Sequence, residues 1–148
     1  MFERIVAAID SDPERSARVL EAAQELAQAF KSDVLVTHVR ELERPSAMVM
    51  PTARAGATQP ALHLESEEVA RQLVDAAVER LRSSGVGAAG QVGPATGSTA
   101  RELLDIARSY GATVIVIGDR GSHVTDVLLG SVAHKVVHLA EVPVLLVR

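Results

Sequence analysis

Cysteine is absent from the chain, which excludes disulfides, thiolate zinc sites and a cysteine nucleophile. Tryptophan is absent as well and aromatic residues make up 2% of the sequence, so the core has to be built from Ala, Val, Leu and Ile. The same scarcity removes the stacked rings on which single-stranded nucleic acid is usually held. There is no lysine- or arginine-rich run, and the formal net charge is −4 with a sequence pI of about 5.7. Neither a nucleic-acid backbone nor an anionic membrane is therefore expected as a partner. No segment approaches the roughly 20 apolar residues of a membrane helix. Glu3 and Arg4 stand directly before the first apolar run, so no signal peptide is expected either, and the charge balance is that of a cytoplasmic protein.

What is present is alternation. With 148 residues, 47% of them hydrophobic, the chain has the length of one ordinary domain, and a single domain over 1–148 is expected. Positions 4–9 are a short apolar run closed by Asp10-Ser11-Asp12-Pro13, a cluster that ends a strand and caps a helix with proline in its first turn. The helix is expected to run to Phe30 with Val19, Ala23, Leu26, Ala27 and Phe30 inward. Positions 34–39 read as a second strand, apolar enough to be buried on both faces. From 40 to 64 the pattern disappears among scattered prolines and small residues, and a long flexible connection is expected. A second helix over 65–84 follows, with Val69, Leu73, Ala76, Ala77 and Leu81 inward and Gly85 as its C-cap glycine. Positions 86–94 are rich in glycine and alanine and predict a weak strand at a sheet edge. Next come a third helix capped by Gly97-Ser98-Thr99 and running through Tyr110, a β-branched strand over 113–118, a last helix over 132–140 and an apolar final strand over 142–148. Strands alternating with helices predict a parallel α/β sheet with right-handed crossovers. In such a sheet ligands bind beyond the carboxyl ends of the strands, where Asp10, Val39 and Gly118 would converge.

Between the 113–118 strand and the last helix lies Gly118-Asp-Arg-Gly121, then eight residues, then Gly130-Ser131. A helix start presents unpaired N–H groups and the positive end of its dipole, and glycine lets a ligand approach the backbone closely, so this loop is a candidate phosphate site. It is neither a Walker A loop nor a Gly-x-Gly-x-x-Gly fingerprint, which leaves P-loop hydrolysis without support. Asp119 is repulsive to a phosphate unless it turns away or helps hold a divalent cation, whereas Arg120 has the charge to pair with one. His134 and His138 stand at i, i+4 on one helix, but with no cysteine and no His-Glu-x-x-His pattern no metal site is expected. His38 reads as a strand residue with a satisfied ring. Ser131 has no evident base and acid partners, so no catalytic residue is expected.

Taken in order, these pieces resemble the universal stress protein family. The first strand ends in Asp10, the His38-Val39 pair ends the second strand, and Gly118, Gly121 and Leu-Leu-Gly130-Ser131-Val132 come before a closing Val-Pro-Val-Leu-Leu-Val. The resemblance covers the whole chain. It implies a five-stranded parallel open sheet of order 3-2-1-4-5 with helices on both faces, an adenine nucleotide alpha hydrolase-like, Rossmann-like arrangement. It further implies that Ala8, Ile9 and Asp10 line the adenine and ribose side and that Val39 meets adenine through its backbone. Ile117, Gly118, Arg120, Gly121, Gly130, Ser131 and Val132 would hold ribose and phosphates. The implied ligand is ATP or another adenine nucleotide, with Mg2+ or Mn2+ as the accompanying cation. The implied assembly is a homodimer through the 142–148 strand, and any regulatory protein partner is unknown. Turnover, if any, is expected to be slow. Two departures favour an alternative, a member of the same fold that acts through partners or another ligand. The spacing 122–129 is one residue shorter than in the family's ATP-binding motif, and aspartate stands at 119 where serine or threonine is usual. A nucleotide hydrolase or transferase is the remaining reading, and no base or lysine beside the loop supports it.

Overall fold

A computed structural model describes residues 1–43, 63–119 and 129–148 of the chain. Its centre is β1 (Arg4–Ala8), where Ile5, Val6 and Ala7 are completely buried. A strand with no exposed face has to be covered on both sides. Ile5 and Ala7 pack on one side with Val34, Val36, Val114 and Val116, and Val6 packs on the other with Leu35, Ile115 and Ile117. This is the period-two alternation of a pleated strand between two helical layers.

The sheet order is β5-β2-β1-β6-β7, all parallel, with β2 at Asp33–Val39, β5 at Ala88–Gly93, β6 at Val114–Gly118 and β7 at Val144–Val147. Counting these five strands along the chain, the order is 3-2-1-4-5, as the resemblance implies. The remaining pair, β3 (Leu42–Glu43) and β4 (His63–Leu64), is antiparallel and joins the two described ends of the connection that the sequence leaves without pattern. Most of that expected flexible segment, 44–62, lies outside the described residues, as do 120–128 with Arg120 and Gly121.

Helix α1 (Pro13–Phe30) begins as its sequence predicts: Asp12 is the N-cap, accepting from the N–H groups of Glu14 and Arg15, and Pro13 fills the first turn. It covers one face of the sheet with α2 (Glu67–Ser83), and α3 (Thr99–Tyr110) and α4 (Ser131–Leu139) cover the other. The glycine-rich β5 is an edge strand, as its composition predicts. Its glycines also have a packing role, because a β-carbon at Gly90 would collide with Val74 and hold α2 off the sheet.

Three expectations need correction. Val69 and Ala76 do not face the core; α2 buries Ala70, Val74, Ala77, Val78 and Leu81 instead. Apolar residues lie on two adjacent stripes of this helix, and its seating over Gly90 selects the stripe containing Val74. Phe30 is half exposed and meets Phe2 edge-to-face at a centroid distance of 5.1 Å at the rim of the core. The final strand is shorter than 142–148, since Pro143 has no N–H to give a ladder, although its carbonyl accepts from Ile115.

Candidate functional site

The chain moves outward from β1 to β2 and β5, then returns to the other side of β1 as β6 and β7. The reversal opens a crevice beyond the carboxyl ends of β1, β2 and β6, the position where open α/β sheets bind ligands. The crevice encloses about 570 Å³ counting its mouth, within the usual range of small-molecule sites. Ala8, Ile9 and Asp10 come from the end of β1, Thr37 and Val39 from β2, and Ile117 and Gly118 from β6. Gly130 and Val132 come from the start of α4. These lining residues include eight of the eleven positions expected from sequence. Ser131 is the first residue of α4 but is exposed and does not line the crevice, while Arg120 and Gly121 are outside the described residues.

Several lining residues were not anticipated: Thr37, His38, Glu41, Thr99, Leu103 and Ala133. The walls are largely aliphatic, with Val39, Leu103, Ile117, Val132 and Ala133 presenting a surface for a flat apolar group. Thr37 and Thr99 bring hydroxyl-bearing side chains to this lining. Thr37 is completely buried, and its Oγ1 makes no hydrogen bond among the described residues. A polar side chain inside an otherwise apolar strand is the signal that sequence offered for it. The N-termini of α3 and α4 both reach the crevice, through Thr99 and Gly130, and each brings the positive end of a helix dipole.

Asp10 is held rather than free. Its Oδ1 accepts from the Asp12 N–H at 2.8 Å, and its Oδ2 lies 2.6 Å from Nε of Arg15. Ser16 Oγ braces the backbone, donating to the Asp10 carbonyl and accepting from the Asp10 N–H. Burial works against the Arg15 charge, but the Asp10 hydrogen bond and the charges of Asp10, Asp12 and Glu41 outweigh it and raise the guanidinium above its ordinary pKa. Arg15 reaches Asp10 by passing over the end of β6, where a β-carbon on residue 118 would collide with its methylenes. Gly118 is thus required by the protein's own arginine.

His38 is buried and satisfied, as its sequence context predicts. The Ile9 carbonyl can only accept, so Nδ1 donates to it, at 3.1 Å, while Nε2 faces the Glu65 carboxylate at 2.8 and 3.0 Å. Glu65 also accepts from the Glu41 N–H at 3.0 Å, and its carbonyl accepts from Nε and Nη2 of Arg40. The segment entering β3 and the segment leaving β4 are therefore tied together beside the crevice.

Asp119 does not line the crevice. Its side chain is 5% exposed, and its Oδ1 accepts the Gly130 N–H at 3.1 Å. His134 and His138 stack in parallel on α4 with centroids 6.3 Å apart. Among the described residues no group of three or more His, Asp or Glu side chains is arranged to hold a metal ion, and no helix is long and apolar enough to cross a membrane.

The universal stress protein family profile matches residues 1–148. The universal stress protein YxiE of Bacillus subtilis is 34% identical over 155 aligned positions that cover 100% of both chains. Among solved structures, the universal stress protein of Archaeoglobus fulgidus in complex with dAMP superposes with a TM-score of 0.67 at 24% identity, covering 100% of this chain and 98% of that one. A universal stress protein in complex with cAMP gives 0.65 at 19% identity, covering 99% and 97%. The matched profile spans the sheet, the crevice and the glycine loop alike, and the chain belongs to the universal stress protein family.

Proposed function

We propose that the crevice binds an adenine nucleotide and that the chain works as a nucleotide-responsive regulatory module of the cytoplasm, not as a rapid catalyst. The observation that carries this reading is the pairing of an aliphatic slot with the buried, unbonded Thr37 hydroxyl at the sheet's switch point. A flat heterocycle fits between Val39, Leu103 and Ile117, and a small shift at the end of β2 would let a ring nitrogen or exocyclic amine supply what the enclosed hydroxyl lacks. Asp10, fixed by Arg15, keeps lone pairs that can accept from a ribose hydroxyl. The dAMP and cAMP carried by the two solved relatives are ligands of this chemistry. Assembly as a homodimer through β7 belongs to the same proposal: the strand lies at a sheet edge and exposes Leu145.

A divalent cation has less support. Asp10 is engaged by Arg15 and Asp119 by Gly130, so these two carboxylates already have partners inside the protein. The same Asp119 contact favours the second reading, in which the fold serves a protein partner and no nucleotide.

Protein purified without added nucleotide, denatured and examined by mass spectrometry should release an adenine compound, and adenosine, AMP, cAMP or ATP should bind saturably by calorimetry. If nothing is released and none of the four binds, the nucleotide reading fails and the partner reading takes its place.

A further inference from the structure

His38 offers two ring nitrogens, and both face oxygens that accept. Nδ1 meets the Ile9 carbonyl at 3.1 Å, and Nε2 meets the two carboxylate oxygens of Glu65 at 2.8 and 3.0 Å. A neutral imidazole carries a single N–H, so beside an ionised Glu65 one nitrogen would turn its lone pair toward those of an acceptor. With one more proton every contact becomes a hydrogen bond, whether that proton sits on the ring or on the carboxylate. The His38 side chain is 2% exposed and that of Glu65 17%, so little water is at hand to relieve a mismatch. The buried side chains of α1 and α2 bring no charge, and the register partner of His38 on β5 is Val92. Charged and titratable groups come instead from the flanking segments. They are Asp10 with Arg15 beyond Ile9, Arg40 and Glu41 after β2, His63 of β4, and the exposed Glu67 and Glu68 at the start of α2.

We infer that the His38–Glu65 pair holds one proton beyond those of a neutral ring and an ionised carboxylate, and that this proton makes the crevice pH-sensitive, binding its ligand tightly while the proton is held and weakly once it is lost. The first half stands on the hydrogen-bond pattern alone, and the second rests on the adenine-nucleotide reading above. Two parts of the crevice lining depend on the pair. The peptide between Ile9 and Asp10 is gripped from both sides, its carbonyl by His38 and its N–H by Ser16 Oγ, and both residues line the crevice. At the exit of β2, Glu65 accepts the N–H of Glu41, another lining residue. Loss of the proton sets a nitrogen lone pair against either Ile9 or Glu65, and the contact on that side opens. A ligand that needs both parts in place then has to restore the proton or bear the mismatch, so proton and ligand favour each other's binding.

The proton is read directly by nitrogen NMR of the His38 ring and carbon NMR of the Glu65 carboxyl, in the wild type without ligand. At about pH 7, where a free imidazole is mostly neutral, the pair should show either a doubly protonated ring or a protonated carboxyl. A singly protonated ring beside an ionised carboxylate overturns the inference, and this measurement decides the matter should the variant below fail to fold. Glu65→Gln supplies the contrast, because its amide donates to Nε2 of a neutral ring while its oxygen accepts the Glu41 N–H, so no extra proton is needed. A proton held by the folded state and released on unfolding stabilises only while it is bound, so its contribution is lost as pH rises. From about pH 6 to about pH 9 the melting temperature of the wild type should therefore drop relative to that of Glu65→Gln. Adenosine, which has no phosphate to titrate, should bind the wild type about fivefold or more weakly at the upper pH, and Glu65→Gln within about twofold across the range, by calorimetry. His63→Asn should keep the wild-type dependence; a flat profile there would assign the effect to His63 and refute the role of the pair. Parallel melting and binding profiles in the wild type and Glu65→Gln also overturn the inference. If adenosine binds none of the proteins, the nucleotide reading falls, and the NMR and melting profiles alone decide whether the pair holds its proton.

Discussion

Arg15 places its Nε 2.6 Å from the Asp10 carboxylate by crossing the end of β6 over Gly118, so a residue of α1, one of β6 and one of the turn after β1 depend on one another at the mouth of the crevice.

Removing the arginine leaves a largely buried carboxylate without its charge partner. Arg15→Met is expected to lower unfolding stability by about 1–3 kcal/mol, measured by urea denaturation, and Asp10→Asn added to it should recover part of the loss. Gly118→Ala should be damaging mainly because it displaces Arg15. Combined with Arg15→Met its effect should therefore be smaller than in the wild type, with a coupling of about 0.5–3 kcal/mol. Strictly additive losses would show that Gly118 and Arg15 act independently.

Thr37→Val keeps the shape of the side chain and deletes a buried hydroxyl that has no bond among the described residues. Stability should rise, by about 1 kcal/mol, while adenosine affinity falls about tenfold through loss of a hydrogen bond to the base. Thermal melts and calorimetry on the same samples check both halves. A variant that is more stable and binds as well as the wild type would remove Thr37 from the recognition of ligand.

The Asp12 cap has a pH signature. The Arg15 N–H bonded to its carboxylate, with further help from the Arg15 charge and the Glu14 N–H, outweighs desolvation and holds the group below its ordinary pKa of 3.8. A carboxylate depressed in the folded state stabilises fully above its unfolded value and loses that contribution as pH falls through its folded value. The melting temperature of Asp12→Ala should therefore lie furthest below that of the wild type near neutral pH, and the gap should close below pH 3.8. Asp12→Asn, which retains an acceptor without a titrating group, should show a flatter dependence. A gap that widens in acid would contradict the assignment.

Leu145 is 39% exposed on the edge strand β7. If two copies pair through this edge, light scattering at micromolar concentration should give the dimer mass and Leu145→Lys should give the monomer mass with the fold retained by circular dichroism. A monomeric wild type would refute pairing through β7 at these concentrations.

Much of the molecule was legible along the chain. The Asp12-Pro13 start of α1, the buried runs that became β1, β2 and β6, and the weak edge strand β5 all follow from interactions among residues a few positions apart. So does the convergence of Asp10, Val39 and Gly118, because strand ends carry their terminal residues with them. The inward stripe of α2 was not legible. Its two apolar stripes are nearly equivalent by period, and the choice between them is made by Gly90, a residue of another element.

By itself the sequence determined the alternation of strands and helices, the glycines at the mouth of the crevice and the aliphatic character of its walls, since period, capping and β-branching act locally. Tertiary structure alone decided which groups those glycines serve. Gly118 makes room for Arg15, and the Gly130 N–H is taken by Asp119, eleven positions before it. Thr37 is left with a buried hydroxyl that has no bond among the described residues, in a strand whose carboxyl end lines the crevice. Such pairings depend on where side chains end after the sheet has brought distant segments within hydrogen-bonding distance, and no local pattern records a donor's choice between an internal carboxylate and a ligand phosphate.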